Sequence, residues 1–92
     1  MKVEDVDKAV AKVCGVQVSD LRVRCKRREF IDAKHIAWKI LKDGGYGITE
    51  LGRAYERNHG AVAKGIKRIT GLIEVHRKIE ARYNEVLEEL CC

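Results

Sequence analysis

Apolar residues recur along this chain at the spacing expected of α-helices, and the clearest example is the stretch 48–74. Ile48, Leu51 and Tyr55 fall on one face of a short helix. A polar break follows and ends at Asn58, a residue well suited to cap a helix. The second apolar stripe then contains Val62, Ile66, Ile69 and Ile73. A short helix, a tight turn and a longer helix are typical of a helix-turn-helix.

The remaining segments show similar apolar stripes and predict three more helices. These helices cover residues 1–15, 29–42 and 77–90, and glycines follow the first two. The chain has no proline and few turn-forming glycine pairs, which argues against a series of short strands. We therefore expect an all-α protein, with one compact domain over 1–92 that has five to six helices including the helix-turn-helix.

An ordinary pair of packed helices, with lysines that only face water, is an alternative interpretation of this stretch. The residues of the stretch alone leave both interpretations open, because helix-turn-helix patterns are weak in sequence. Turns of this type often contain glycine, whereas the corresponding position here is Glu56 or Arg57. The decision therefore depends on the rest of the chain.

The longer helix of the pair is predicted to carry a basic face opposite its apolar stripe. The titratable residues predicted on that face are His59, Lys64, Lys67 and Arg68. The small residues predicted between them are Gly60, Ala61 and Gly65. A basic face with small residues would allow an anionic partner to approach the backbone closely.

Positive charge is concentrated in the middle of the chain. The net charge is +5, and residues 22–68 contain thirteen Lys and Arg against five Asp and Glu, whereas both flanks are slightly acidic. Clustered positive charge on one part of a domain is the electrostatic signature of a polyanionic partner. This distribution favours nucleic-acid binding over a merely solvated basic surface.

The densest basic segment is residues 22–28, with five cations in seven positions. Repulsion between like charges disfavours a regular helix there, so we expect a loop or an irregular start of the next helix. Such a segment can follow phosphates or enter a minor groove, and a solvated loop is the alternative. The five cations are Arg22, Arg24, Lys26, Arg27 and Arg28.

Several classes of protein find no support in the sequence. No apolar run approaches the roughly 20 residues that cross a bilayer, and the first residues lack an apolar signal core, so we expect a cytoplasmic protein. The four cysteines form no CxxC pair, and the histidines lack zinc-finger spacing. No phosphate-binding loop and no nucleophile elbow is present. We expect no catalytic activity, no metal and no cofactor.

Several short pieces of the chain occur in an order that is shared with one known family. The pieces are Val18-Ser19-Asp20-Leu21, the basic segment, Ala33-Lys34-His35-Ile36-Ala37, Ile48-Thr49-Glu50-Leu51-Gly52, and Asn58-His59 followed by Val62. In this order the chain resembles the C-terminal DNA-binding domain of the bacterial replication initiator DnaA. The resemblance implies an all-helical helix-turn-helix fold that binds duplex DNA, here without an ATPase domain.

The resemblance also implies roles for individual residues. In the family the basic segment enters the minor groove, and Lys26 and Arg28, with Arg24 nearby, would take that role. Lys34 and His35 occupy the places of an Arg-Gln pair that reads bases in the major groove. The run Asn58-His59-Gly60-Ala61 stands where the family has Asp-His followed by two hydroxyl residues, at the start of the recognition helix.

Two departures from the family pattern bear on the target sequence. Gly60 and Ala61 lack hydroxyls, which removes two hydrogen bonds worth on the order of 1 kcal/mol each. Lys34 replaces an arginine, and a lysine cannot read guanine with two parallel hydrogen bonds. We therefore expect DNA binding, with a preferred sequence that need not be that of the initiator.

The sequence as a whole predicts a sequence-specific double-stranded-DNA-binding module of a bacterial replication-initiator or regulatory type. We expect it at the nucleoid, as a monomer or weak dimer, with a partner protein possible. Two alternatives use the same basic face, namely an RNA-binding module and a protein-interaction module. The scarcity of exposed aromatic residues argues against recognition of single-stranded RNA.

Overall fold

The computed structural model describes residues 2–22 and 27–91 of the chain. Within this part five α-helices follow one another without any strand, so the all-α prediction is confirmed. A short 3₁₀ helix, Val18–Leu21, lies between the first two. The five helices are α1 Val3–Cys14, α2 Arg28–Asp43, α3 Ile48–Ala54, α4 His59–Val75 and α5 Arg77–Cys91.

The ends of the helices agree closely with the sequence pattern. Gly15 follows α1 in the left-handed conformation, with φ of 70°, and its backbone N–H donates to the carbonyl of Ala11. α2 is one residue longer at each end than predicted. His76 alone separates α4 from α5, at the predicted break.

α2 is the central helix of the domain. It packs against α1 on one side and α4 on another, and α5 closes the core by contacting α1 and α4. Trp38 of α2 is only 2% exposed and packs in the interior. The fully buried apolar residues are Val6, Val10, Leu21, Ala33, Ile36, Ala37, Leu41, Leu51, Val62, Ile69 and Val86. No helix in the described ranges is long and apolar enough to cross a membrane.

The turn between α3 and α4 has the geometry of a helix-turn-helix. A Cβ at Gly52 would lie 2.7 Å from the backbone oxygen of Arg57, so only glycine lets the turn fold back this closely on α3. Glu56 takes the left-handed conformation, with φ of 54°, that glycine often provides in such turns. The side chain of Asn58 accepts a hydrogen bond from the backbone N–H of Gly60 at 2.7 Å, which confirms the predicted cap.

Candidate nucleic-acid interface

The solvent-facing side of α4 begins at its first turn. His59 and Ala61 are exposed there and Gly60 is half-buried. No acidic residue lies in this turn, so the partial positive charge at the start of the helix is not offset by a carboxylate on the same turn. Such a helix start is a favourable place for phosphate oxygens.

Two lysines continue this exposed side. Lys64 and Lys67 are both exposed and lie about one and two turns beyond the start of α4. Among the ion pairs of the described residues, none involves either lysine. His59, Ala61, Lys64 and Lys67 are the exposed residues of the first half of α4, and this set is here called the α4 strip. Its two ammonium groups are available to an anionic partner.

A shallow groove of about 320 Å³ runs beside the α4 strip along the helix-turn-helix turn. Its lining residues are Thr49, Gly52, Arg53, Glu56, Arg57, Asn58 and His59. Arg53 and Arg57 are thus two further cations next to His59 that the sequence predictions did not include. The available signal was their position on either side of the turn, inside the basic middle of the chain.

The opposite side of α4 packs tightly against α2. A Cβ at Gly65 would lie 2.7–2.8 Å from ring atoms of His35 and Trp38, and Gly65 is buried. The prediction that Gly65 lies on the outer basic face is therefore wrong. Gly65 lies three residues after Val62 and four before Ile69, so helical spacing places it on the buried stripe although it has no apolar side chain.

Arg68 also faces α2, at the edge of the buried surface. Its Nη2 lies 2.8 Å from Oδ1 of the buried Asp32, as an ion pair without a well-aligned hydrogen bond. Its Nη1 lies 3.1 Å from Nδ1 of His35. The guanidinium is thus held between two α2 side chains, and the predicted place of Arg68 among the exposed residues needs this correction.

His35 and Lys34 lie in the same part of the structure. Burial, followed by the positive charges of Arg68 and Lys34, lowers the pKa of His35 to about 4, so the ring is neutral at physiological pH. Lys34 is only 6% exposed, and its ammonium lies 6.0 Å from the centre of the Trp38 ring. Both side chains pack within the fold, and their contact with bases stays a prediction.

A second polar cluster fixes the start of the basic segment. Arg22 Nη2 donates to Asp7 Oδ2 at 3.0 Å, and its Nη1 donates to the carbonyl of Ala54 at the end of α3. The Tyr55 hydroxyl donates to Oδ1 of Asp7. Asp7 is fully buried. Burial raises the pKa of Asp7, and the hydrogen bonds from Tyr55 and Arg22 act in the opposite direction. Arg22 therefore ties α1 to the helix-turn-helix.

The rest of the basic segment is described only in part. Arg24 and Lys26 lie outside the described residues. Arg27 precedes α2 and Arg28 is its first residue, and both are exposed. The Arg27 guanidinium lies 3.9 Å from the Glu29 carboxylate. Arg28 takes part in no ion pair of the described residues.

The helix-turn-helix geometry of α3 and α4 agrees with the similarity of this chain to known proteins. The family of the bacterial DnaA protein helix-turn-helix matches residues 3–69 of the chain. The chain belongs to this family. The match covers α1 to α3 and the first part of α4, which includes the whole α4 strip. α5 lies outside the matched residues.

Two full-length members of the DnaA group are similar to this chain. The chromosomal replication initiator protein DnaA of Bacteroides thetaiotaomicron is 23% identical over 86 residues, which are 91% of this chain and 18% of that protein. The protein of the same name from Oleidesulfovibrio alaskensis is 33% identical over 69 residues, 71% of this chain and 15% of that protein. The chain thus spans less than a fifth of the length of these DnaA relatives.

The potential metal ligands and thiols of this DnaA-type domain are scattered over the described residues. In the ranges that the structure describes, no three His, Cys, Asp or Glu side chains come together as a metal site would require. Cys14 is half-buried and Cys91 is exposed, and both are free thiols. Cys25 and Cys92 lie outside the described residues. The basic surface around the helix-turn-helix is therefore the candidate site.

Proposed function

We propose that this domain binds double-stranded DNA in a sequence-specific manner, with the first half of α4 in the major groove. The observation that carries the proposal is the α4 strip, which is exposed and starts at a capped helix end. Its two lysines have no carboxylate partner among the residues that the structure describes. A major groove about 12 Å wide admits an α-helix. Membership of the DnaA helix-turn-helix family supports the same use of this surface.

Specificity in this proposal comes from the first turn of α4. His59 presents ring nitrogens that can exchange hydrogen bonds with base edges, and Ala61 can contact the methyl group of a thymine. Asn58 and Gly60 bring the backbone close to the duplex. Lys64 and Lys67 then bind phosphates, which adds affinity without adding sequence information.

The basic segment supplies the second part of the proposed interface. Arg27 and Arg28 are exposed at the start of α2, and Arg24 and Lys26 belong to the same segment. We assign these four residues to the phosphates or the minor groove beside the site of α4. Arg22 would position the segment through its contacts with Asp7 and Ala54.

Lys34, His35 and Arg68 are assigned a supporting role. The side chains of His35 and Arg68 meet between α2 and α4, and Lys34 is buried beside Trp38. We assign to them the angle and depth of the recognition helix. A small shift of α4 moves every group of the α4 strip relative to the bases. These residues would then influence DNA binding through the position of α4, and direct base contact by them remains the prediction of the sequence.

The biological role that fits this proposal is recognition alone. The domain would mark an origin, a repeat or a regulatory site at the nucleoid, without catalysis by these 92 residues. The initiator relatives carry the same kind of domain in much longer chains.

Selection from a random duplex library at physiological salt, with excess non-specific competitor, tests this function. The proposal expects enrichment of a short motif. Enrichment that survives competition shows base recognition, because phosphate contacts alone do not distinguish sequences. Binding to every duplex with steep salt dependence but without enrichment would contradict sequence specificity. Absence of duplex binding altogether would contradict the proposed function and favour an acidic protein as the partner of the same face.

A further inference from the structure

A cleft of about 240 Å³ lies where the start of α2, the second half of α4 and the start of α5 meet. Leu72 and Ile79 contribute its apolar surface, and charged groups surround them. The polar lining residues are Arg28, Glu29, Asp32, Arg68, His76, Lys78 and Arg82. The cleft is separate from the α4 strip and contains none of its residues.

The charges in the cleft do not balance. Asp32 is paired with Arg68 at 2.8 Å, and Glu29 lies 3.9 Å from Arg27. Asp32 is therefore paired within the lining, whereas Glu29 makes one long contact with Arg27, which lies outside the lining. Arg28, Lys78 and Arg82 remain, and no ion pair within the described ranges includes any of the three. The lining thus contains four Arg and Lys residues against two carboxylates, a net excess of two positive charges.

Arg82 differs in its burial from the other two cations of the cleft that have no ion pair among the described residues. Its side chain is half-buried, unlike the exposed Arg28 and Lys78. A guanidinium that has lost part of its hydration is stabilised by an anion, and its planar set of donors matches a phosphate group. A purely solubilising arginine would have no reason to lie in a cleft beside two further cations.

We propose that this cleft binds a backbone phosphate of the same duplex that receives α4. The inference rests on the proposed function and extends it to α5, the helix outside the family match. Arg28 belongs to both the basic segment and the cleft, so the two surfaces are continuous. Arg28, Lys78 and Arg82 are the residues that hold the phosphate.

The spacing along α4 is compatible with one duplex on both surfaces. Lys64 and Leu72 are separated by eight residues, or roughly 12 Å of helix rise. In our proposal, the duplex that holds the first half of α4 in its major groove also brings a bordering strand within reach of the cleft.

The proposal assigns a DNA contact to the start of α5, although this helix lies in a slightly acidic flank of the chain. Its glutamates are Glu80, Glu85, Glu88 and Glu89. The first turns, however, contribute Lys78 and Arg82 to the cleft. The basic start of α5 would thus face the duplex, while its acidic remainder lies further along the helix.

The test compares the full chain with Lys78→Ala, Arg82→Ala and the double variant, using a duplex that the wild type binds. Affinity is measured at several salt concentrations, and phosphates are mapped by ethylation interference. The matched control is Lys42→Ala, an exposed lysine roughly 21 Å from Arg28 along the α2 axis. Circular dichroism establishes that each variant is folded.

We expect the double variant to reduce the slope of log affinity against log salt by roughly 0.9, the value for one lost phosphate contact. Affinity at physiological salt should fall several-fold, and interference at an outlying phosphate should disappear. The preferred motif should be the same as for the wild type. Lys42→Ala should behave as the wild type does.

An unchanged slope together with an unchanged interference pattern would overturn the proposal, because neither Lys78 nor Arg82 would then contact a phosphate of the duplex. Lys78 is exposed, so its single variant tests the cleft even if Arg82→Ala does not fold. If the wild type binds no duplex at all, the proposed function itself fails. The two failures are therefore distinguishable.

Discussion

Lys67 and Arg68 are neighbours in the sequence but lie on different faces of α4. Lys67 is exposed and has no ion-pair partner among the described residues, whereas Arg68 is held between Asp32 and His35 of α2. The same contrast separates two glycines of this helix. A Cβ at Gly71 would meet nothing within 4 Å, but one at Gly65 would collide with the rings of His35 and Trp38.

This difference shows that residue type does not decide the role of a side chain on α4. Successive residues of an α-helix are turned by about 100°, so one step along the chain can move a cation from solvent to an interior pair. Lys67 is proposed to act on DNA directly. Arg68 is proposed to act by fixing α4 against α2.

Exchanging the two glycines for alanine should give the largest contrast. Gly65→Ala should lower the free energy of unfolding by about 3 kcal/mol, because two buried rings must move to admit the methyl group. Gly71→Ala should raise it by about 0.5–1 kcal/mol, because an open helical position gains helix propensity. Urea denaturation of both variants measures the difference. A mild effect of Gly65→Ala would contradict the close packing of α2 against α4.

The contact between α2 and α4 should also make the free energy of unfolding depend on pH, through His35. The pKa of His35 is about 4 in the folded protein and about 6.5 when unfolded, so the unfolded chain takes up a proton first as the pH falls. Stability should therefore decrease from about pH 6.5 to about pH 4, by between about 2 and 3 kcal/mol.

His35→Gln provides the control for this pH effect. The raised pKa of Asp7 acts in the opposite direction, since it adds stability as the pH falls, but Asp7 is present in both proteins. The difference between wild type and variant thus isolates His35. Parallel stability curves for the two proteins would show that the ring is accessible to protons in the folded state.

Substitutions on the exposed side of α4 should change the affinity for DNA. His59→Ala should weaken binding to the preferred duplex by about 1–2 kcal/mol and weaken binding to random duplex much less, because a base contact is lost. Lys64→Ala should weaken both by similar factors, because a phosphate contact carries no sequence information. Competition titrations with the two duplexes measure this. Equal losses for His59→Ala on both duplexes would place His59 at the backbone.

Much of the fold could be predicted from the sequence because each helix carries a regular apolar stripe. The stripe from Val62 to Ile73 fixed the buried side of α4, and Asn58 marked its start. The helix-turn-helix followed from these local signals, and so did the exposure of His59, Lys64 and Lys67.

The parts that could not be predicted depend on contacts between distant residues. Arg68 meets Asp32 across 36 positions, and Arg22 meets Asp7 across fifteen. The residues near an arginine in the sequence do not show whether a distant carboxylate will pair with it in the folded protein. The cleft that contains Arg28, Lys78 and Arg82 is likewise formed by three helices. A count of charges along the sequence could not reveal it, because the start of α5 belongs to an acidic flank.

The most direct test of the account is to measure two quantities for Lys67→Ala and Arg68→Ala: the free energy of unfolding and the salt dependence of duplex affinity. Lys67→Ala should leave stability within about 0.5 kcal/mol of wild type and reduce the salt slope by roughly 0.9. Arg68→Ala should cost about 2 kcal/mol of stability, because Asp32 loses its cation, and should leave the slope nearly unchanged. A Lys67→Ala protein with an unchanged slope, or an Arg68→Ala protein with full stability and a reduced slope, would contradict the assignment of the two faces.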